Sequence, residues 1–202
     1  TRTDPSYSVK SVDQDRRLQT HFASTGSLYL VRSVDGNVWE KVTDAIYTPT
    51  ELFGCNDGRV LFLVNGTGAI NRTLLRSIDQ GKTWTAVLTC TNASWPLPAG
   101  VCVYQDEILI AEYGEKNIDV GPRKVYYSND KGLTWNVVLE GTGHNVSNPP
   151  RFRGYHFHNA LIDAYTGDFW VTEGDFVNER VRGTIYHSID KGKSWTKRTD
   201  IG

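Results

Sequence analysis

Apolar residues in this chain come in short bursts, without a helical rhythm. Runs of aliphatic, β-branched and aromatic residues cover Arg59–Asn65, Glu107–Tyr113 and Asp168–Glu173, closing in Gly66, Gly114 and Gly174. Upstream of them lie Glu51–Cys55, Gly100–Tyr104 and Tyr155–Asp163, joined by turn-forming stretches such as Asn56-Asp57-Gly58 and Tyr165-Thr166-Gly167. Runs of this length, bounded by Gly, Asn and Asp, read as strands in hairpins. No segment sustains a 3.6-residue period, so very little helix is expected.

A repeat organises these strands. Ser77-Ile-Asp-Gln-Gly-Lys-Thr-Trp84, Ser128-Asn-Asp-Lys-Gly-Leu-Thr-Trp135 and Ser188-Ile-Asp-Lys-Gly-Lys-Ser-Trp195 superpose without a gap. Ser33-Val-Asp-Gly-Asn-Val-Trp39 is a shorter, degenerate fourth copy. The aspartates at 35, 79, 130 and 190 lie 44, 51 and 60 residues apart, close to the ~40–50-residue period of a propeller blade. Each copy links two strand-like runs, Leu28–Arg32 to Trp39–Val42, Thr73–Arg76 to Trp84–Leu88, Lys124–Tyr127 to Trp135–Leu139, and Thr184–His187 to Trp195–Lys197. Within the turn the Asp carboxylate accepts backbone N–H groups, and Gly81, Gly132 and Gly192 supply positive φ. The Thr or Ser hydroxyl ties down the returning strand, and Trp84, Trp135 and Trp195 pack between sheets.

One unit therefore reads strand, turn, strand, loop, strand, Asp turn, strand, which is a four-stranded antiparallel blade. The expected fold is all-β, with about four such blades in one domain over 15–202. In the first and poorest blade, only Arg17–Ala23 stands out as an earlier strand. Residues 1–14 show no blade pattern and are expected to be a tail, or a strand donated to a neighbour.

These motifs resemble the Asp-box (BNR) repeats of sialidase-like β-propeller proteins, over about residues 17 to 200. The resemblance implies a propeller and leaves function open, because hydrolases, receptors and assembly factors share the repeat. It also implies that the Asp box lies on the outer part of each blade, away from a ligand face. Two departures matter. Related propellers mostly carry six or more blades, so the ring is expected to be incomplete or completed by a partner. The Arg-Ile-Pro motif and the Tyr–Glu nucleophile pair of sialidases have no counterpart; Arg151-Phe-Arg153 comes late and lacks the pattern.

Composition narrows the partners. With 22 Lys and Arg against 23 Asp and Glu, the net charge is -1. That argues against nucleic acid or an anionic membrane as the main partner. No apolar stretch reaches the length of a spanning helix. The chain opens at Thr1 and contains no Met, which reads as a processed or excised form. Four Asn-x-Ser/Thr acceptors, at Asn65, Asn71, Asn92 and Asn145, tilt the expectation toward the cell exterior. Of three cysteines, Cys90 and Cys102 bracket a turn-rich stretch and are candidates for a disulfide; small buried strand residues are the equal alternative.

The richest cluster of candidate chemistry is Arg151-Phe-Arg-Gly-Tyr-His-Phe-His-Asn159, followed by Trp170-Val-Thr-Glu-Gly-Asp175. Strand alternation places His156 and His158 on one face. With Glu173 and Asp175 on the next strand, they are the candidate catalytic groups; hydrogen-bonded structural histidines are the simpler explanation. Arg151, Arg153, Tyr155 and Tyr113 are the candidate ligand contacts, since aromatic rings stack on sugar C–H faces. Core packing explains most other aromatics, Trp170 above all. His187 is expected at the surface. Asp79, Asp130 and Asp190 are lone carboxylates and do not make a calcium site, which needs six to eight oxygens. No cofactor or metal is expected.

Two functions compete. One is an extracellular binding or assembly module contacting a glycan, a protein or copies of itself. The other is a carbohydrate-active enzyme of the sialidase-like group centred on His156 and His158.

Overall fold

The computed structural model describes residues 9–15, 20–25, 30–33, 35, 37–42, 49–55, 60–65, 72–90, 98–113, 123–141, 156–177 and 180–199. Among them are sixteen strands in four four-stranded antiparallel sheets, each running outward in chain order. The first sheet holds β1 (Val9–Asp15), β2 (Thr20–Thr25), β3 (Leu30–Ser33) and β4 (Glu40–Lys41). The second holds β5 (Pro49–Gly54), β6 (Leu61–Asn65), β7 (Thr73–Ser77) and β8 (Thr85–Thr89). The third holds β9 (Val101–Tyr104), β10 (Glu107–Ala111), β11 (Lys124–Ser128) and β12 (Asn136–Glu140). The fourth holds β13 (His156–Ile162), β14 (Phe169–Val177), β15 (Arg180–Ser188) and β16 (Thr196–Thr199). Among the described residues the one helical element is a 3-10 turn at Pro98–Gly100.

Two expectations about strands are corrected here. Val9–Gln14 belongs to β1, paired with β2, so 1–14 is not simply a tail. Gly174 does not end its strand: β14 and β15 pair without interruption from Phe169↔Ser188 to Val177↔Arg180.

The Asp turns between third and fourth strands are built alike. In the third sheet Asp130 accepts the Thr134 N–H at 2.9 Å, the Thr134 hydroxyl at 2.6 Å and the Ser128 hydroxyl at 2.7 Å. Ser128 Oγ in turn accepts the Gly132 N–H at 2.9 Å. The same bonds recur around Asp79 and Asp190. In the shorter first copy the Ser33 hydroxyl still donates to Asp35, and the Asn37 and Val38 N–H groups take the place of the Thr donors. Gly81, Gly132 and Gly192 have φ of 81°, 72° and 82°, and the residue before each, Gln80, Lys131 or Lys191, is also left-handed. Each Trp indole N–H returns to the carbonyl of its turn glycine.

Sheet packs on sheet. The third sheet is buried on both faces, and strand alternation along β10 divides its residues. Ile108 and Ile110 meet Phe62, Leu74, Cys55 and Cys90 of the second sheet. Leu109 and Ala111 meet Phe157, Ile162, Phe169 and Val171 of the fourth. All four of these residues are fully buried, and each large aliphatic side chain among them contributes about 1.5–3 kcal/mol to its seam. Neighbouring sheets meet chiefly through first strands, β5 against β1 and β2, and β13 against β9 and β10. Those strands therefore lie on the narrow side of a fan.

The same division corrects the disulfide expectation. Cys90 sits in the core between second and third sheets, whereas Cys102 packs into the core between third and fourth. They face opposite sides of one sheet, and none of the three cysteines is joined to another in a disulfide.

Candidate functional site

The Asp turns occupy one end of the sheets, and the candidate cluster forms at the other. β10 begins at Glu107, held by Lys191 of the neighbouring turn at 2.8 Å, and leaves at Glu112 and Tyr113. There the Phe157 N–H bonds the Glu112 carbonyl at 3.2 Å, locking the start of β13 onto the end of β10. This contact brings Tyr113, His156 and His158 together. The Tyr113 and His156 ring centroids are 3.9 Å apart, His156 and His158 4.8 Å, and Tyr113 and His158 5.6 Å.

Both histidines do share this place, but simple alternation does not put them there. The register shifts between Phe157 and Asn159, leaving His158 in a bulge. His156 is 2% exposed, while His158 and Tyr113 are half-buried. His158 Nε2 donates to the Gly174 carbonyl at 3.0 Å, which fixes the ring and leaves Nδ1 as acceptor in the neutral form.

Two buried carboxylates neighbour the cluster in the backbone: Glu112 precedes Tyr113 and Glu173 pairs with Phe157, at 0% and 3% exposure. They occupy equivalent positions in successive sheets, since Ile108↔Ser128 and Phe169↔Ser188 set the same register. Each is capped by the tyrosine two residues before its turn serine. Tyr126 donates to Glu112 at 3.1 Å and Tyr186 to Glu173 at 2.6 Å. Glu112 also accepts the Lys124 N–H at 2.8 Å. In the second sheet the same positions hold Asn65 and Leu75, so carboxylate and hydroxyl come as a pair.

The charge near Glu112 is shared. Burial raises the Cys90 thiol pKa, Glu112 raises it further and Arg72 opposes, so this cysteine stays a neutral thiol. Burial lowers the Arg123 guanidinium pKa, with Glu112 acting against it. A Cβ on Gly141 would come within 2.8 Å of Glu173 Oε1, so the backbone closes over that carboxylate. Among the described residues no group of three His, Cys, Asp or Glu is arranged to hold a metal ion.

Other candidates fall elsewhere. Arg151, Arg153 and Tyr155 lie outside the described residues, as do Asn71, Asn92 and Asn145. Asn65 closes β6, and Asp175 pairs with Arg182 in the β14–β15 ladder. The pairing of Glu112 with Tyr126 was missed by sequence reasoning. The recurrence of Tyr-x-Ser with a glutamate at the end of the preceding strand was the available signal. Two aromatic assignments change. Trp170 is not in the core: it is 37% exposed, at the turn end. His187 is half-buried, bonded to Asp168 Oδ2 at 2.8 Å and stacked on Trp170 at 3.8 Å.

The arrangement of sheets is shared with solved structures. No family model and no curated protein matches the chain. A GH74 enzyme from Niastella koreensis superposes with a TM-score of 0.59 at 17% identity, over 93% of this chain and 29% of that one. An oligogalacturonate lyase crystallised with manganese gives 0.59 at 10% identity, over 95% and 53% of the two chains. The α-L-arabinofuranosidase Arb93A of Fusarium graminearum gives 0.53 at 12% identity, over 100% and 68%. The fold is of the β-propeller type. The chain spans less than a third of the GH74 enzyme and about half of the lyase.

Proposed function

We propose that this chain is an extracellular glycan-binding module of the Asp-box (BNR) kind, which meets its ligand with Tyr113 and His158. The observation that carries the reading is the three-ring cluster at the end opposite the Asp turns. Two of its rings remain half-buried, the accessibility needed to stack on the C–H face of a sugar. Three solved neighbours whose names denote action on saccharides support the substrate class.

Binding is favoured over hydrolysis by the state of the carboxylates. Glycoside hydrolysis uses two acidic groups flanking the scissile bond. Glu112 and Glu173 are buried and committed to tyrosine hydroxyls, so neither is presented to a substrate oxygen. They read as buried ties that join neighbouring strands behind the ring cluster's backbone. The four Asn-x-Ser/Thr acceptors support an extracellular location.

The test is a glycan array followed by calorimetry, with a panel of chromogenic glycosides on the same protein. Retention of a defined glycan without turnover is expected. Tyr113→Ala is expected to weaken binding about three- to tenfold, the scale of one aromatic stack. Hydrolysis abolished by His158→Ala would replace this reading with the enzyme reading. Failure either to retain a glycan or to turn one over would remove both.

A further inference from the structure

We infer that the outer face of the fourth sheet is a docking surface for one further Asp-turn sheet, carrying Lys, Arg or Gln after its turn aspartate. The third and fourth sheets are built on equivalent positions. Shared register aligns Leu109 with Trp170, Cys102 with Leu161, Tyr127 with His187 and Glu107 with Asp168. In the third sheet this face is sealed: Leu109 is fully buried, with Cys102 and Tyr127 packed against the core around it. In the fourth sheet the corresponding Leu161 and Trp170 are 52% and 37% exposed.

The described seams also share a polar key. The residue before each turn serine reaches the residue after the next sheet's turn aspartate. Arg32 donates to the Gln80 side chain at 2.9 Å, and Arg76 to the Lys131 carbonyl at 2.8 Å. Tyr127 donates to Glu107, whose other oxygen takes Lys191 Nζ at 2.8 Å. His187 and Asp168 are the next lock in this series. His187 holds Asp168 Oδ2 at 2.8 Å, and nothing among the described residues engages Oδ1. An incoming cation would complete the pattern made by Tyr127, Glu107 and Lys191.

The occupant is a sheet outside these 202 residues, not a second copy of them. The first sheet, whether from this chain or from a copy, carries Gly36 after Asp35 and has no side chain to reach Asp168. Two fourth sheets face to face would oppose Asp168 and His187 with their own duplicates and supply no lysine. The reading is independent of the glycan site, which lies at the opposite end of the sheets.

The test extends the 202-residue chain after Gly202 with a second copy of residues 142–202, which supplies a sheet bearing Lys191. Leu161→Cys is placed in the original fourth sheet, and its alkylation by an aqueous maleimide is followed by peptide mass mapping. Alkylation is expected to be fast in the unextended chain and about tenfold or more slower in the extended one. Lys191→Glu made in the appended copy alone is expected to restore most of the rate. An unchanged rate after extension would overturn the proposal, and so would an appended sheet without amide-exchange protection. Solution mass of the unextended chain adds a separate check: a dimer dispersed by Trp170→Glu would assign the face to a second copy and overturn the proposal.

Discussion

At the scale of single residues, the turn aspartates are the groups whose ionisation the fold has adjusted most legibly. The Ser194 hydroxyl, the Ser194 N–H and the Ser188 hydroxyl together hold Asp190 down to about 2. At Asp130, burial is the largest influence and works upward, yet the bonds from Thr134, Ser128 and Leu133 outweigh it and leave the group at about 2. A carboxylate with a folded-state pKa below its unfolded value contributes stability that is complete above the unfolded value, near 3.9, and fades as the pH falls through the folded one. The protein is therefore expected to lose stability between about pH 4 and pH 2, read by tryptophan fluorescence during acid titration. Asp190→Asn should flatten that dependence, because an amide keeps an acceptor but does not titrate; an unchanged slope would place the acid sensitivity elsewhere. The buried carboxylates make a second case. Tyr186→Phe removes a 2.6 Å donor from Glu173 at 3% exposure, with an expected cost of about 1–3 kcal/mol in urea unfolding. A cost within a few tenths would mean that another donor holds Glu173 once the tyrosine hydroxyl is gone.

At the scale of the element, the Asp hairpin shows why part of the fold was legible and part was not. Aspartate, glycine, hydroxyl and tryptophan all lie within eight residues of sequence and bond to one another, so the turn can be read locally. The left-handed Gln80, Lys131 and Lys191 give no such sign, because long polar side chains are not selected by φ. β1 was missed for a related reason: Val9–Asp15 contains only two apolar residues, and pairing with β2 makes it a strand. The bulge at His158 depends on how β13 meets β14, which no residue pattern announces. The turn glycine also carries tertiary information. A Cβ on Gly132, at φ +72°, would lie 2.5 Å from the Phe62 ring of the neighbouring sheet. Gly132→Ala should therefore cost more than backbone strain of about 1 kcal/mol, with overpacking adding about 1–3 kcal/mol. A double-mutant cycle with Phe62→Leu checks this, because the smaller side chain should remove most of the added penalty. Additive costs would show that Gly132 is required by its φ alone.

At the scale of the whole molecule, sequence reading found the number of sheets but not which faces stay open. Trp170 has the composition of a core residue and stands where Leu109 stands in the preceding sheet, so nothing local separates them. The difference arises from what lies against each sheet. Leu109 is fully buried among Ala111, Val125, Phe157 and Phe169, and Leu109→Ala should leave a cavity costing about 2–5 kcal/mol. Trp170 is 37% exposed and stacks on His187 with the ring planes 13° apart. Its truncation in the 202-residue chain should forfeit little more than that stack, about 0.5–1.5 kcal/mol. Urea unfolding of the two variants at matched protein concentration measures the contrast directly. Equal costs would mean that the fourth sheet is already covered in solution; a cost for Trp170→Ala that grows with protein concentration would identify the cover as another copy of the chain. A small, concentration-independent cost is the outcome consistent with an uncovered seam, because the energy that Leu109 gains from its neighbour is available to Trp170 only when a fifth sheet is present.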